Sequence, residues 1–555
     1  MNGIPRDPEP GPRWLLALLA ALPALWLVLA RGAAFGHFSV DLAGHLWTGW
    51  ALGRAGWLHT WMIGWPEGVD LLPALGGWLD VLLVALLRHL LPLELAYDLV
   101  ACAYLVIAGL GGGLLARELG ASRPAALVGG LLLQLDGFVL QHLAGGRPEQ
   151  VGLGFVAVFL GLVLRAWRGS CSRAPWQAGL AGALLLFVSW ELALLAGLAS
   201  LVMLPFLVWT ARPAGLARRL GVLALAGAVP AVPWAGLFLV HASRVRAFDE
   251  GGFWLITAQQ ASVGLLGWLG PGMARPGWLA LLALLVLPWT ARAGQRRLWL
   301  GIGLGLALCL LLALGPFPGL WTPGAPRGEP WGLFAIARGL PLLGWFHWPD
   351  RLLAAWSLAA AAAGALAVQW LWSRRRWAAL VLAALLVADA GLEAWRGGRW
   401  PAGHFRVAAH AEADQLAALP GGGAVLDLPP QPNPVNHLGY QLLQLRHGRP
   451  IRHHHHLSHL VEAGAEGSVD QQPMLGWFHA LMEGGAPERG PFSADELQGL
   501  EAAGFGFVVL HQKGWPPPRW ARARAILLES LGEPVIQQGS HWICWRLPGA
   551  GEGES

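Results

Sequence analysis

The segment LAYDLVACAYLVIAGLGGGLLA, residues 95–116, decides the fold class of this chain. At about 1.5 Å per residue, a helix of this length crosses the roughly 30 Å of hydrocarbon in a bilayer. Similar runs recur through the first 394 residues, so we predict an α-helical polytopic membrane protein with about eleven spans. The predicted spans lie near residues 14–31, 95–116, 124–143, 150–167, 176–190, 191–210, 216–240, 277–291, 297–315, 350–372 and 376–393.

The composition agrees with this fold class. Of the 555 residues, 55% are hydrophobic and 13% are charged, and the mean hydropathy is +0.49, whereas soluble domains carry about 25% charged residues. The net charge of +5 comes from arginines at predicted helix ends, which argues against a nucleic-acid partner. The cysteines show no CxxC spacing, so neither a zinc site nor a disulfide framework is indicated. They are Cys102, Cys171, Cys309 and Cys544.

Arginine-bearing loops at every second turn of the chain set the predicted orientation. The positive-inside rule places them in the cytoplasm. The N-terminus is then cytoplasmic, and the intervening loops and the C-terminal tail are extracytoplasmic. The loops carry Arg117/Arg123, Arg165/Arg168/Arg173, Arg212/Arg218/Arg219, Arg292/Arg296/Arg297 and Arg374/Arg375/Arg376.

Two apolar stretches fit this pattern poorly. The segment from Leu71 to Leu91 would put the arginine loops on the wrong side if it crossed the membrane. It also carries Asp80 and Arg88, so we interpret it as an interfacial or re-entrant part of the first outer loop, 32–94. The runs 176–190 and 191–210 are joined with little room for a turn.

The character of the chain changes after residue 394. Polar residues, Pro and Gly become frequent, and short β-like runs appear near 424–428, 507–510 and 542–545. A helical stretch, roughly Pro518 to Leu531, precedes the last run. We predict a transmembrane domain over 1–394 and an extracytoplasmic α/β domain over 395–555.

In the predicted topology, the carboxylates gather at the outer face, whereas the cytoplasmic loops offer mainly arginine. We therefore expect a reaction centre at the outer face. A carboxylate held in or beside the hydrocarbon costs free energy and commonly marks function or a buried pair. These residues, with two arginines near them, are Asp41, Asp70, Asp136, Glu149, Glu191, Asp249, Glu250, Arg338, Asp350 and Arg351.

Several local motifs resemble those of the GT-C glycosyltransferases, integral membrane enzymes that use a polyprenyl-phosphate-linked sugar. Ser39–Trp47 (SVDLAGHLW) resembles the acidic motif that opens the first extracytoplasmic loop of that superfamily. The other motifs resemble parts of bacterial relatives with a periplasmic C-terminal domain. They are LAGGRPE (143–149), FHWPDR (346–351), YQLLQLRHGRPI (440–451) and GFVVLH (506–511).

The resemblance implies a bacterial inner-membrane enzyme that inverts at the anomeric carbon. The resemblance implies that Asp41 deprotonates the acceptor or orients a metal. A carboxylate beside an apolar surface has a raised pKa, which suits it to accept a proton from a hydroxyl group. Arg147 or Arg351 would stabilise the lipid-phosphate leaving group. Membrane lipid and a glycan, lipid or protein acceptor are the implied partners. The remaining candidate substrate-binding residues are His45, Asp70, Asp136, Glu149 and Glu191.

Five of the candidates also have a structural interpretation. Asp41 could simply be a helix N-cap. His45, one turn beyond Asp41, makes a possible divalent-metal pair with it, but an interfacial histidine is more often a hydrogen-bonded tip, and we assign no metal ligand. Asp136 and Glu191 could be paired groups that stabilise the bundle, and Arg351 could snorkel to the headgroups.

Two further motifs receive structural interpretations. The internal run His453–His456, followed by His459, is read as a solvated loop rather than a metal site. Gly111-Gly112-Gly113 falls within an apolar helix, which favours close helix packing over a phosphate loop.

Two alternatives to a glycosyltransferase remain at this stage. One is a protein that keeps the fold without catalysis and serves envelope polysaccharide assembly. The other is a transporter or flippase, which predicts polar residues at mid-depth and an inverted repeat. Neither feature is evident in the sequence.

Overall fold

The computed structural model is mostly helical and has a small C-terminal sheet. It describes residues 33–37, 39–52, 54, 59–66, 68–71, 77–169, 171–210, 215–242, 258–270, 273, 275–290, 293–324, 329–337, 346, 348–399, 403–407, 410–430, 434–452, 472–513, 515–538 and 542–551. The predicted first span, 14–31, and the histidine run lie outside these residues.

Within the described residues, fifteen α-helices precede the C-terminal region. They are α1 Val40–Ala51, α2 Leu79–Leu87, α3 Leu93–Leu119, α4 Arg123–Gln134, α5 Gly137–Ala144, α6 Pro148–Val151, α7 Leu153–Arg168, α8 Ala174–Val188, α9 Trp190–Thr210, α10 Leu216–Ala242, α11 Trp278–Thr290, α12 Ala293–Ala313, α13 Leu333–Ala337, α14 Ala354–Trp372 and α15 Arg376–Arg396.

Among the described residues, eight helical stretches are long and apolar enough to cross a membrane. Two shorter apolar helices, Ala174–Val188 and Trp278–Trp289, accompany them. Together these ten correspond to the predicted spans that follow 14–31. The eight are Leu93–Leu119, Arg123–Ala144, Pro148–Arg168, Trp190–Thr210, Leu216–Leu237, Arg296–Ala313, Pro349–Trp372 and Arg376–Arg396.

The structure explains the two stretches that fitted the predicted topology poorly, 71–91 and the junction between 176–190 and 191–210. Within 71–91, helix α2 has nine residues, or about 14 Å, too short to cross the hydrocarbon. Its buried residues include Asp80. Helices α8 and α9 are separated at Ser189, whose backbone is extended and whose hydroxyl accepts a hydrogen bond from the Leu192 amide at 3.3 Å. One extended residue therefore suffices to end one helix and begin the next.

The glycine run packs helices together, as predicted. A Cβ added at Gly111 would lie 2.2 Å from the carbonyl oxygen of Gly154, and one at Gly112 would lie 2.8 Å from that of Gly129. Helices α4 and α7 thus approach α3 at backbone distance, the role of small residues in membrane interfaces.

The C-terminal region contains five strands and five helices among the described residues. They are β4 His404–Phe405, α16 Ala411–Ala418, β5 Ala424–Leu428, α17 Pro434–His447, α18 Pro473–Glu483, α19 Ala494–Ala502, β6 Phe505–His511, α20 Pro517–Leu531, β7 Ile536–Gln538 and β8 Trp542–Arg546. Four of the strands form a sheet of order β5-β6-β8-β7. Strands β5 and β6 are parallel and the other pairs of this sheet are antiparallel. The predicted strands and the helix near 518–531 are thus present.

One face of this sheet packs on the first loop. Alternate residues of β5 and β6, including Val425 and Phe507, share a core with Trp47 and Ile63. The strand β1 Ala34–Phe35, at the start of the described chain, pairs with β4. A second ladder, β2 His59–Thr60 with β3 Val69–Asp70, lies within the loop. The first loop and the C-terminal region therefore form one body at one end of the bundle.

We predict that Gly154→Ala destabilises the bundle. The added Cβ would lie 2.4 Å from the Ala108 Cα atom, and backbone cannot move aside as a side chain can. We expect a loss of about 1–3 kcal/mol, measured as a lowered thermal midpoint in detergent. Gly391→Ala on α15 is the control, because nothing lies within 4 Å of its added Cβ. Equal midpoints for the two variants would contradict the close packing of α3 on α7.

Candidate functional site

Helix α1 begins the candidate site. Its N-cap is Ser39, whose hydroxyl accepts from the Leu42 amide at 3.1 Å and donates to the Gly145 carbonyl at 2.8 Å. Asp41 is therefore not the cap; it lies in the first turn, where a carboxylate is favoured by the helix dipole. His45 follows one turn later on the same face.

The chain segment that meets α1 is Arg147–Gln150, which we call the hub segment. It follows Gly146, which has a φ of +73° and where an added Cβ would lie 2.3 Å from Leu42 Cβ. A side chain would thus push the hub segment away from α1. Three of its residues, Arg147, Glu149 and Gln150, contact three different partners.

Arg147 pairs with Asp41. Its Nε atom lies 2.6 Å from Asp41 Oδ2. Both side chains are partly exposed, Asp41 at 32% and Arg147 at 28%, so the pair borders on solvent. A guanidinium at this distance stabilises the ionised carboxylate, which is the form that can accept a proton. The structure thus gives Asp41 a charged partner, whereas the sequence argument considered only its apolar setting.

Glu149 meets His45, which lies between two carboxylates. His45 Nδ1 is 2.7 Å from Asp80 Oδ2, and His45 Nε2 is 3.0 Å from Glu149 Oε2. Burial by itself lowers the pKa of His45, but Asp80 and Glu149 raise it more, so the pKa lies well above its usual value. The two carboxylates thus favour the protonated imidazole.

Gln150 contacts the buried ion pair of Glu191 and Arg351. Its Nε2 atom donates to Glu191 Oε2 at 2.7 Å, and the same oxygen accepts from Arg351. Both charged side chains are buried, so Arg351 does not snorkel to the headgroups. The guanidinium carbons of Arg351 and Arg147 lie 4.9 and 5.7 Å from the ring centroid of Trp348. One indole thus holds both guanidiniums in cation–π contact.

The His45, Asp80 and Glu149 side chains fit a divalent metal. One ligand atom from each lies within 4.8 Å of the others. His45 Nδ1 and Asp80 Oδ2 are at ion-pair distance but lack hydrogen-bond geometry. These two atoms are buried without a hydrogen-bond partner, and so are Asp80 Oδ1 and Glu149 Oε2. Nitrogen and carboxylate oxygen donors suit zinc or manganese.

Charge balance supports the same fit. As a metal ligand His45 must be neutral. Asp41 pairs with Arg147 and Glu191 with Arg351, whereas Asp80 and Glu149 both contact His45. With a neutral His45, the Asp80 and Glu149 carboxylates would carry an excess of negative charge that a divalent cation would balance.

The remaining predicted residues have other surroundings. Asp136 caps α5, accepting from the Phe138 amide at 2.8 Å and from the Ser357 hydroxyl at 2.7 Å. These are the contacts of a group that stabilises the bundle. Asp70 lies in β3, where its backbone pairs with His59, and its side chain lies outside the described part of the chain.

Asp80, Gln150 and Trp348 are site residues that the sequence patterns did not reveal. Asp80 had a usable signal, a carboxylate inside an apolar run that does not span. Trp348 stands within the FHWPDR motif, and Gln150 follows Glu149 directly. Their roles depend on helices distant in sequence, so no spacing pattern reveals them.

No family model and no curated protein matches this sequence, but solved structures do. Arabinofuranosyltransferase AftD from Mycobacteria is similar with a TM-score of 0.54 and 18% identity, covering 98% of this chain and 42% of AftD. The Archaeoglobus fulgidus oligosaccharyltransferase in complex with Zn and sulfate is similar with a TM-score of 0.54 and 13% identity, covering 93% of this chain and 70% of that chain.

Both similar proteins are membrane glycosyltransferases of the GT-C superfamily. This chain has the GT-C fold. It spans 42% of the length of the AftD structure, so the likeness concerns the fold. The predicted GT-C-like fold is thereby confirmed, as is the polytopic helical class with a sheet-containing C-terminal region.

We predict strong coupling between Arg351 and Glu191. Arg351→Met leaves the Glu191 carboxylate buried without its cation, which costs about 3–5 kcal/mol. Glu191→Leu leaves the guanidinium unpaired at similar cost. The double variant removes both charges, so we expect it to be more stable than either single variant, measured by thermal midpoints in detergent. Additive losses would show that the two side chains do not depend on each other.

Proposed function

We propose that this chain is a glycosyltransferase that transfers a sugar from a lipid-phosphate-linked donor to an acceptor at the outer face of the membrane. The observation that carries the proposal is the joined ionic network of Asp41–Arg147, His45–Asp80–Glu149 and Arg351–Glu191. It combines a partly exposed carboxylate with two guanidiniums and a candidate metal centre on a GT-C fold. These are the groups that glycosyl transfer from a phosphate requires.

Asp41 is proposed as the base and Arg147 as a phosphate ligand. A donor phosphate would compete with the Asp41 carboxylate for the Arg147 guanidinium, which binds either anion through its planar fork. Asp41 would then accept the proton of the acceptor hydroxyl. The acceptor oxygen bonds to the anomeric carbon as the bond from that carbon to the phosphate oxygen breaks, and the lipid phosphate leaves. Attack from the opposite side inverts the configuration.

His45, Asp80 and Glu149 are proposed to hold a divalent metal beside the phosphate. When bound, such an ion would offset the charge that develops on the leaving phosphate. The chain's own contribution is to keep these ligands dry and close together, since Asp80 and Glu149 are buried.

An apolar crevice supports a donor with a lipid tail. It has a volume of about 370 Å³ and walls from α3, α7, α9, α10, α12 and α14. Its lining begins at Leu195, one turn after Glu191, and at Ala355, one turn after Arg351. Along α9 it continues to Leu207, about 18 Å farther at 1.5 Å per residue. An apolar chain placed there would have its phosphate end at the ionic network.

The same arrangement supports the proposed orientation. The C-terminal sheet packs on the first loop at the end of the bundle that holds the network, and the arginine loops lie at the opposite ends of the helices. With those loops cytoplasmic, the network and the C-terminal domain would be extracytoplasmic, as for a bacterial inner-membrane enzyme.

The test is sugar transfer from a panel of radiolabelled polyprenyl-phosphate sugars by the purified protein in nanodiscs. We expect Asp41→Asn to lower the rate about 100-fold or more, the usual range for a catalytic base. Asp414→Asn, at an exposed position of α16, is the matched control and should keep full activity. If the wild-type protein transfers no sugar from any donor, the paired network is structural and the protein keeps the fold without catalysis. Transfer that survives in Asp41→Asn would move the base elsewhere.

We predict that a variant with a narrowed crevice loses affinity for long-chain donors only. Gly305 lines the crevice, and an added Cβ would meet Val202 no closer than 3.6 Å, so Gly305→Leu narrows it without a backbone clash. We expect the KM for a long polyprenyl donor to rise about tenfold, which corresponds to about 1.4 kcal/mol, and the KM for a short-chain analogue to stay unchanged. Gly303→Leu on the same helix is the control, because Gly303 does not line the crevice. Equal KM changes for both donors would rule out the crevice as the tail site.

A further inference from the structure

Helix α1 has three faces with three different surroundings. Leu42 and Leu46 belong to the core of the helical bundle. Trp47 and Trp50 belong to the core shared with the C-terminal sheet. Asp41 and His45 lie on the third face, in the ionic network. The rotation of α1 about its axis therefore decides whether its two ionisable side chains reach their partners.

A buried hydrogen bond fixes the second face to the C-terminal domain. The Trp47 indole Nε1 donates to Gln444 Oε1 at 2.6 Å. Trp47 is 1% exposed and Gln444 is fully buried, so water does not compete for the bond. Trp47 is two residues beyond His45 on α1, whereas Gln444 lies on α17.

Gln444 is itself held at its amide nitrogen. That atom donates to the carbonyl of Arg449 at 2.9 Å and to the carbonyl of Met62. The Arg449 guanidinium donates to the carbonyls of Leu419 at 2.6 Å and Gly421 at 2.8 Å, beyond the end of α16. The acceptor of the Trp47 bond is thus anchored both to the first loop and to the C-terminal domain, and it cannot follow α1 if α1 turns.

We propose that Gln444 is a positioning residue for the site, through which the C-terminal domain sets the rotation of α1 and so the placement of Asp41 and His45. The inference rests on the proposed function. A rotation of a few degrees moves the His45 ring by a fraction of an ångström, and catalytic geometry tolerates only about 0.5 Å. Displacements of about 1 Å remote from the reacting atoms lower rates strongly.

The experiment compares Gln444→Met with Gln134→Met. Gln134 is the matched control, because it is also fully buried and its amide donates to the Leu105 carbonyl at 2.9 Å within the bundle, on helices other than α1. Both changes keep side-chain volume and remove a buried amide. The readouts are the kcat and KM of sugar transfer, and hydrogen–deuterium exchange of Val40–Ala51.

We expect Gln444→Met to lower kcat about tenfold with the KM little changed, and to speed exchange in α1. Gln134→Met should leave both unchanged at a similar thermal midpoint. Trp47→Phe removes the other partner, and the double variant should be no slower than the slower single variant, since both break one interaction.

Two outcomes overturn the inference. One is the same kcat and the same α1 exchange for the Gln444 and Gln134 variants. The other is an additive loss in the double variant. If the wild-type protein transfers no sugar, the proposed function fails, and α1 exchange still decides whether Gln444 positions the helix.

Discussion

The burial of opposed charges around residues 147–150 is the constraint on which the site depends. A buried ion is costly unless a partner and hydrogen bonds replace its water. Glu149 and Gln150 meet this demand, because Glu149 contacts His45 beside the buried Asp80 and Gln150 donates to the buried Glu191 that pairs with Arg351. Arg147 pairs with Asp41 where the network borders on solvent. No one helix could supply all these partners, so the network links the first loop, the hub segment and two spans into one unit.

Close backbone approach makes that unit possible. Gly146 lets the hub segment lie against Leu42, and Gly111 and Gly154 bring α3 and α7 together. Helix α1 is then held between the core of the bundle and the core of the C-terminal sheet. The C-terminal domain therefore does more than cover the membrane part, because its packing and the Trp47–Gln444 bond bear on the helix that carries Asp41 and His45.

The same pairing shapes the proposed chemistry. Because the described cations of the network already face carboxylates, an incoming phosphate has to exchange partners rather than fill an empty site. A divalent ion would likewise have to displace the His45 proton, so its binding should strengthen as the pH rises. In the proposed mechanism, such exchanges would let the site remain stable without ligand and still respond to one, and the adjoining apolar crevice would hold the lipid tail during them.

The sequence by itself determined the helical membrane class and the strands near 424–428, 507–510 and 542–545, because hydropathy and strand patterns are local. It also singled out Asp41, His45, Arg147, Glu149, Glu191 and Arg351 as candidates, which lie together in the ionic network, because an ionisable residue near apolar segments is visible in one dimension. The tertiary structure alone decided which ionisable side chains pair with each other. Asp80 contacts His45 from a helix that is too short to span the membrane, Asp136 is a helix N-cap, and Arg351 pairs with the buried Glu191. These outcomes depend on which helices pack side by side, and a buried charge takes the partner that packing brings within reach, at any separation in sequence.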